Sequence, residues 1–262
     1  MIRSFASELV RLQRRSILLG WTAAVVGFTL LATLLTLQRA GGAGGPGPEA
    51  SFTVAQLSSS EGMALVLGVA ATFLGVLTLG LFAMLIANDY VDGTIRTALV
   101  EQPRRLRLLV GKLLALALFA TLAIIVASVL GAALGLALAP GQGVDTSTWL
   151  TSEGIGALAR GIGNLILASL GWGMIGVLLA VLIRAPAPAV AAGVAYALPV
   201  EMLLRSAWVD GAEWLPGGLL GALAAGGTSV VSYDRALTLV GLYTAVALIA
   251  VGVLFVRRDV TA

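Results

Sequence analysis

Residues 113–139 read LLALALFATLAIIVASVLGAALGLALA, twenty-seven consecutive positions without one charged side chain. The only polar groups are the hydroxyls of Thr121 and Ser128. As a helix this run is about 40 Å long at 1.5 Å per residue, more than the roughly 30 Å of a hydrocarbon layer. It carries no polar stripe, so it cannot lie on the surface of a water-soluble domain. It reads as a membrane span.

Working outward, further apolar runs occupy residues 16–38, 62–87, 161–183, 186–204 and 236–256. The run at 186–204 is the weakest of the six, since it holds Pro199 and Glu201. The first is too long for a cleaved signal peptide and lacks a small-residue cleavage site, so it is expected to be retained. Composition agrees: 59% of the 262 residues are hydrophobic and 11% charged, with a mean hydropathy of +1.01. A soluble domain carries about 25% charged residues. A soluble enzyme, a disordered chain and a collagen-like repeat are all excluded. The expected fold is an all-α polytopic membrane protein of six transmembrane helices, forming a single transmembrane domain over 1–262.

The chain contains neither Cys nor His. Disulfides, thiolate catalysis, iron–sulfur clusters and Cys-ligated zinc are thereby excluded, as are imidazole bases and the HExxH motif. No G-x-x-x-x-G-K-[ST] occurs, so the chain has no Walker motif of its own. The 13 acids are spread along the sequence and give little support to a carboxylate site for a hard cation. No catalytic residue, cofactor or metal site is expected in this chain.

Basic residues set the orientation. With the N-terminus inside, 12 Lys and Arg fall in cytoplasmic segments and 4 outside: Arg39, Arg160, Arg205 and Arg235. Both termini are therefore expected in the cytoplasm, in a multi-pass protein of the cell inner (plasma) membrane. The net charge of +3 belongs to short loops beside apolar spans, where topology and lipid headgroups account for it. Nucleic acid is not an expected partner; membrane lipids are.

Three segments are not simple spans. Residues 1–15 form an amphipathic elbow helix, with Glu8, Arg11 and Arg15 on one line and Phe5, Leu9 and Leu12 on the other side. Its basic face is expected to meet anionic headgroups, and the helix also suits contact with a partner. Residues 39–61 open with the Gly- and Pro-rich run GGAGGPGP and are given no chemistry. Residues 205–235 connect the last two spans on the external side, yet LPGGLLGALAA at 215–225 is too apolar for a solvated loop. Pro216, Gly217 and Gly218 break it, and Trp208 and Trp214 flank it as interfacial aromatics do. One or two short re-entrant helices are expected there, covered by protein. Glu201 lies just before this segment. Arg205 at i+4 offers it a partner, and a proton or substrate role is the alternative. The glycines at 131, 135, 171, 173 and 176 are expected to serve internal helix packing.

The most informative loop lies between the second and third spans, at 88–112. From residue 89 it reads DYVDGTIRTALVEQPRRLRLLVGK. Asp92 or Thr94 can start a short helix that Pro103 ends. Its mixed polar and apolar surface makes it a partner-contact element.

The run D-x-x-x-G-T-I-R-T-x-L-x-x-x-P-R-R-x-R-L-L-x-G-K resembles the pattern of type-2 export permeases of ATP-binding-cassette (ABC) transporters, in their short bacterial form. The elbow helix, six spans, apolar external segment and short basic tail resemble that family over the whole chain. The resemblance implies a permease docked on a separate cytoplasmic ABC ATPase subunit, which would hold the ATP and Mg. It also implies a second permease copy, identical or a paralogue. Carried onto this sequence, the ATPase-coupling region comprises Asp89, Asp92, Gly93, Thr94, Arg96, Arg104, Arg105 and Lys112, with Asp89 standing where the family has Glu. Trp214, Pro216, Gly217 and Gly218 match its external gate, and the second and fifth spans would line the pathway. The scarcity of charge there suits a hydrophobic or amphipathic cargo, such as a drug, peptide or lipid-like molecule. Two other readings stay open: a proton-coupled secondary transporter using Glu201, and a membrane scaffold that moves nothing.

Overall fold

A computed structural model describes residues 2–40, 52–94 and 105–257. The predicted coupling helix, with Arg96 and Arg104, lies outside the described residues, as do the Gly- and Pro-rich run and the end of the basic tail. Among the described residues the secondary structure is entirely helical. In chain order the helices are α1 (Ile2–Leu12), α2 (Arg15–Gln38), α3 (Val54–Leu57), α4 (Gly62–Gly68), α5 (Ala71–Val91), α6 (Arg105–Leu138), α7 (Ser152–Ile183), α8 (Pro186–Ala195), α9 (Glu201–Ala207), α10 (Pro216–Ala224) and α11 (Tyr233–Arg257). Six helical stretches are long and apolar enough to cross a membrane: α2, α5, α6, α7, the α8–α9 unit and α11. The chain is an all-α polytopic membrane protein.

The start of α6 meets the end of α11, where Arg105 Nη1 donates to the Val256 carbonyl at 3.2 Å. Helix α1 packs beside that same end of α6. The first and last helices thus mark one side of the molecule, called here the terminal face. The α3–α4 segment and the α6–α7 loop occupy the opposite face, and α10 packs on α7 inward of it.

Local chemistry explains the breaks. Thr53 and Gln56 form a capping box at the start of α3, with Gln56 N–H on Thr53 Oγ1 at 3.2 Å and Thr53 N–H on Gln56 Oε1 at 2.9 Å. The span expected over 62–87 is divided into α4 and α5, because Ala70 N–H bonds to Leu67 O, one residue short of the α pattern. Helix α7 starts on the Thr151 hydroxyl, which accepts from Gly154 N–H, and ends at Arg184 in the left-handed region at φ 59°. Pro186 then opens α8, and its ring holds Ala185 extended. Between α8 and α9 the chain widens into a π turn over Tyr196–Val200, with Pro199 inside it. Proline has no N–H and crowds the preceding turn, and the wider turn accommodates both defects.

The interior is built around the pair α5 and α7, which share the most extensive helix contact among the described residues. Small residues let them approach closely. A Cβ on Gly173 would strike the Phe82 ring at 2.8 Å, and one on Gly176 would strike the Leu79 carbonyl. Gly131 of α6 faces Thr29 of α2 and Leu67 in the same manner. These glycines therefore pack helices internally, as small residues do where lipid supplies no hydrophobic drive between helices. Toward the terminal face the core gathers Leu12, Phe82, Leu85, Leu116 and Val177. At the opposite face Trp149 is fully buried, and its indole N–H donates to Leu57 O at 2.8 Å. Beside it the Asp145 carboxylate accepts from Ser147 N–H at 2.8 Å, which holds its pKa below the ordinary value.

The spine makes a testable claim. Gly176→Ala forces α5 and α7 apart and is expected to cost about 1–3 kcal/mol, read as a lower unfolding temperature in detergent. Gly20→Ala, at a site where nothing lies within 4 Å of the added methyl, leaves that temperature unchanged.

Candidate functional site

Two buried charge clusters mark the two faces. At the terminal face, α1 contributes Glu8 and Arg11, the end of α5 contributes Asp89, and α6 contributes Lys112. The Lys112 ammonium lies 2.7 Å from Glu8 Oε2 and 2.8 Å from Asp89 Oδ2. Arg11 Nη1 closes the ring between Asp89 Oδ1 and Glu8 Oε1, the latter at 3.3 Å. Its Nη2 donates to Leu85 O at 3.4 Å. Gly93 turns the chain at φ 67°, a left-handed conformation that glycine adopts without strain, and the following Thr94 hydroxyl donates back to Asp89 Oδ1 at 2.9 Å. Relative exposures are 5% for Glu8, 1% for Asp89 and 7% for Lys112.

Two acids and two bases make the cluster neutral, which is what a buried site requires. Such a network is a poor source of net stability, since desolvation offsets the attraction. Its effect is geometric: α1, α5 and α6 have one relative placement that satisfies all four charges. Glu8 and Arg11 of the elbow helix therefore meet Asp89, Thr94 and Lys112 of the loop between the second and third spans at one site. Asp89 and Lys112 are turned inward, and Asp92 is exposed at the end of α5 with its N–H on Asn88 O at 2.8 Å. Arg105 ties α6 to α11.

The elbow helix needs one correction. Its Arg residues are expected among headgroups, and Arg14 and Arg15 are exposed while Arg11 is not. Glu8 is buried and Arg11 is half-buried against Asp89. Leu12 is buried as expected, with Phe5 and Leu9 partly buried beside it in the terminal-face core. Helical periodicity separates polar from apolar faces but says nothing of counter-charges on distant helices.

At the opposite face, Glu201 is 2% exposed. Its carboxylate accepts from Gly217 N–H at 2.8 Å and Gly218 N–H at 2.6 Å, the first amides of α10. Arg205 adds Nε at 3.1 Å and Nη2 at 2.6 Å. Pro216 occupies the first position of α10, where its missing N–H costs nothing. A Cβ on Gly217 would overlap the carboxylate, so a glycine is needed there. A negative charge at a helix N-terminus is also favoured by the helix dipole. The Arg205 pairing was legible from i+4 spacing, whereas the two backbone donors were not.

Helix α10 is held on its other side as well. Leu219 and Leu223 are fully buried, and Leu220 rests on Gly171 of α7. Tyr243 of α11 donates to Trp214 O at 3.1 Å. Arg235 pairs with Glu213 and lies over the Trp214 ring at 5.2 Å. The apolar segment after the fifth span is thus one α-helix preceded by a 3₁₀ turn over Val209–Trp214, anchored at both ends.

Among the described residues no three His, Cys, Asp or Glu side chains gather as metal ligands. No family model matches the chain, and no curated protein matches it.

Two outcomes are expected. Lys112→Met leaves Glu8 and Asp89 sharing a buried site with Arg11 alone, and should cost about 3–5 kcal/mol in detergent unfolding, with Asp92→Asn neutral. Glu201→Leu removes the acceptor for two amides of α10, at about 1.5 kcal/mol each or more. Because the chain lacks cysteine, Leu223→Cys supplies a single thiol. Its labelling rate should rise at least about tenfold in the Glu201→Leu background, and less in Glu201→Gln.

Proposed function

We propose that this chain is the membrane-spanning permease subunit of an ABC exporter in the cell inner membrane. Both termini face the cytoplasm, as the 12-to-4 division of basic residues favours. A separate cytoplasmic ATPase docks on the loop between α5 and α6. A second permease, identical or similar, completes the assembly. The cargo is hydrophobic or amphipathic and leaves the cell by alternating access.

The observation that carries this reading is the four-charge cluster. The loop bearing the G-T-I-R-T motif is rooted at Asp89 on one side and Lys112 on the other, and both roots are ion-paired to α1. A push on the loop is therefore shared by α1, α5 and α6 rather than absorbed by bending. Helix α5 passes it to α7 through the glycine-lined contact. Rigid elements with discrete arrangements are what such transitions use. The Glu201 carboxylate, by contrast, is engaged by four N–H donors, which speaks against a proton-carrying role.

The test is assembly and coupling. Co-expressed with a cassette ATPase from the same genome, the chain should capture it and raise its ATPase rate in proteoliposomes. Asp92→Lys, an exposed change beside the motif, should weaken capture about fivefold or more by like-charge or mispaired contact. Export of cargo with no ATPase present would overturn the proposal.

A further inference from the structure

A groove of about 950 Å³ opens on the opposite-face half of the protein, between α4–α5, α7, the π turn and the end of α10. Its walls are apolar: Leu65, Val69, Phe73, Leu167, Leu198 and Ala224. Phe73, Leu167 and Leu198 are exposed, so the groove opens sideways where lipid would lie. Asn164 and Tyr233, hydrogen-bonded to each other at 3.0 Å, form its polar corner. Glu61 and Arg160 also line it.

Those two charges are the informative feature. Glu61 caps α4 without a side-chain hydrogen bond, and Arg160 sits on α7. The two helices touch nearby, where a Cβ on Gly161 would meet the Ala64 Cβ at 3.0 Å. Yet Glu61 and Arg160 form no ion pair, and neither has another polar partner among the described residues. Among the described residues, an acid and a base stand on one groove without side-chain partners.

Their depth can be placed. After Arg160 no charge occurs until Arg184, and residues 161–183 as a helix span about 34 Å, close to the thickness of the hydrocarbon layer. After Glu61 no charge occurs until Asp89. Both side chains therefore stand at the border of the hydrocarbon, at headgroup level, with the apolar walls below them.

We propose that this groove is a selective site for a zwitterionic phospholipid with a primary ammonium, its phosphate on Arg160 and its ammonium on Glu61. The acyl chains lie along Phe73, Leu167 and Leu198. An ammonium donates hydrogen bonds to a carboxylate, and a guanidinium matches phosphate oxygens in a fork. A dipolar headgroup satisfies both charges at once, which a headgroup without an ammonium, such as that of phosphatidylglycerol, cannot do. The volume is at the upper end of ligand sites, sufficient for a headgroup and the first part of its chains. The site stands whether or not the spans transport anything.

The chain purified in nonionic detergent is titrated with phosphatidylethanolamine or phosphatidylglycerol of the same acyl chains, and one-to-one adducts are read by native mass spectrometry. Phosphatidylethanolamine should be retained preferentially. Arg160→Ala and Glu61→Gln should each weaken it about threefold to fivefold, the range of an exposed charge pair, while Arg160→Lys retains most binding. Arg160→Glu should abolish the preference. Unfolding temperature should be unchanged in all four, as both residues are exposed. Equal binding of the two lipids, or variants that bind as the parent does, would mean an unselective lipid contact and overturn the proposal. Preference for phosphatidylglycerol that is lost only with Arg160→Ala would assign an anionic occupant instead, and would overturn it equally.

Discussion

The pairing of Lys112 with Glu8 and Asp89 fixes how the N-terminal helix sits on the bundle. A membrane protein gains little from apolar contact between helices, because lipid chains solvate apolar side chains as well as neighbours do. Specific placement must come from close packing and from polar groups that have one satisfactory arrangement. Both devices are used here, and in different places. Close packing holds α5 against α7 along its glycines. Charge holds α1 against α5 and α6. The second device is the more demanding, since loss of any one member leaves a net charge stranded out of water.

The Glu201 cluster at the opposite face obeys the same logic with a different donor set. There the donors are partly backbone. The first amides of α10 have no partners within their own helix, and a short helix entering from outside the bundle would otherwise leave them bare. Glu201 supplies the acceptor and Arg205 balances its charge. The fifth span is broken just before this site: the π turn that holds Pro199 ends at Val200, and Glu201 opens α9. Proline, acid and glycine pair, each unfavourable in an ordinary span, serve one another.

Much of the architecture was readable from composition and periodicity. The uncharged run at 113–139, the weak fifth span and the apolar segment at 215–225 each follow from the limits a bilayer places on bare polar groups. The division of the second span at Val69–Ala70 was not readable, because nothing in VLGVAATF breaks helical periodicity. The inward turn of Glu8 and Arg11 escaped the sequence for a deeper reason: their partners lie on α5 and α6, and the pairing is a property of tertiary structure. Arg205 beside Glu201 was visible because both occupy one helix. Trp149, Leu57 and Ser58 carry an interlocked loop that no local pattern announced.

The burial of the spans is uneven. Over half of the most apolar stretch of α5 and of α7 is enclosed by protein, against 17% for that of the α8–α9 unit and 11% for that of α11. The molecule is mechanically lopsided, with a stiff interior seam and a compliant flank. Helix α11 meets the remainder mainly through α7 and α10, and the Arg105 contact clips its last turn to α6. A load applied at the carboxyl end would peel that flank away first and leave the seam intact, so the flank is where the bundle can yield without coming apart.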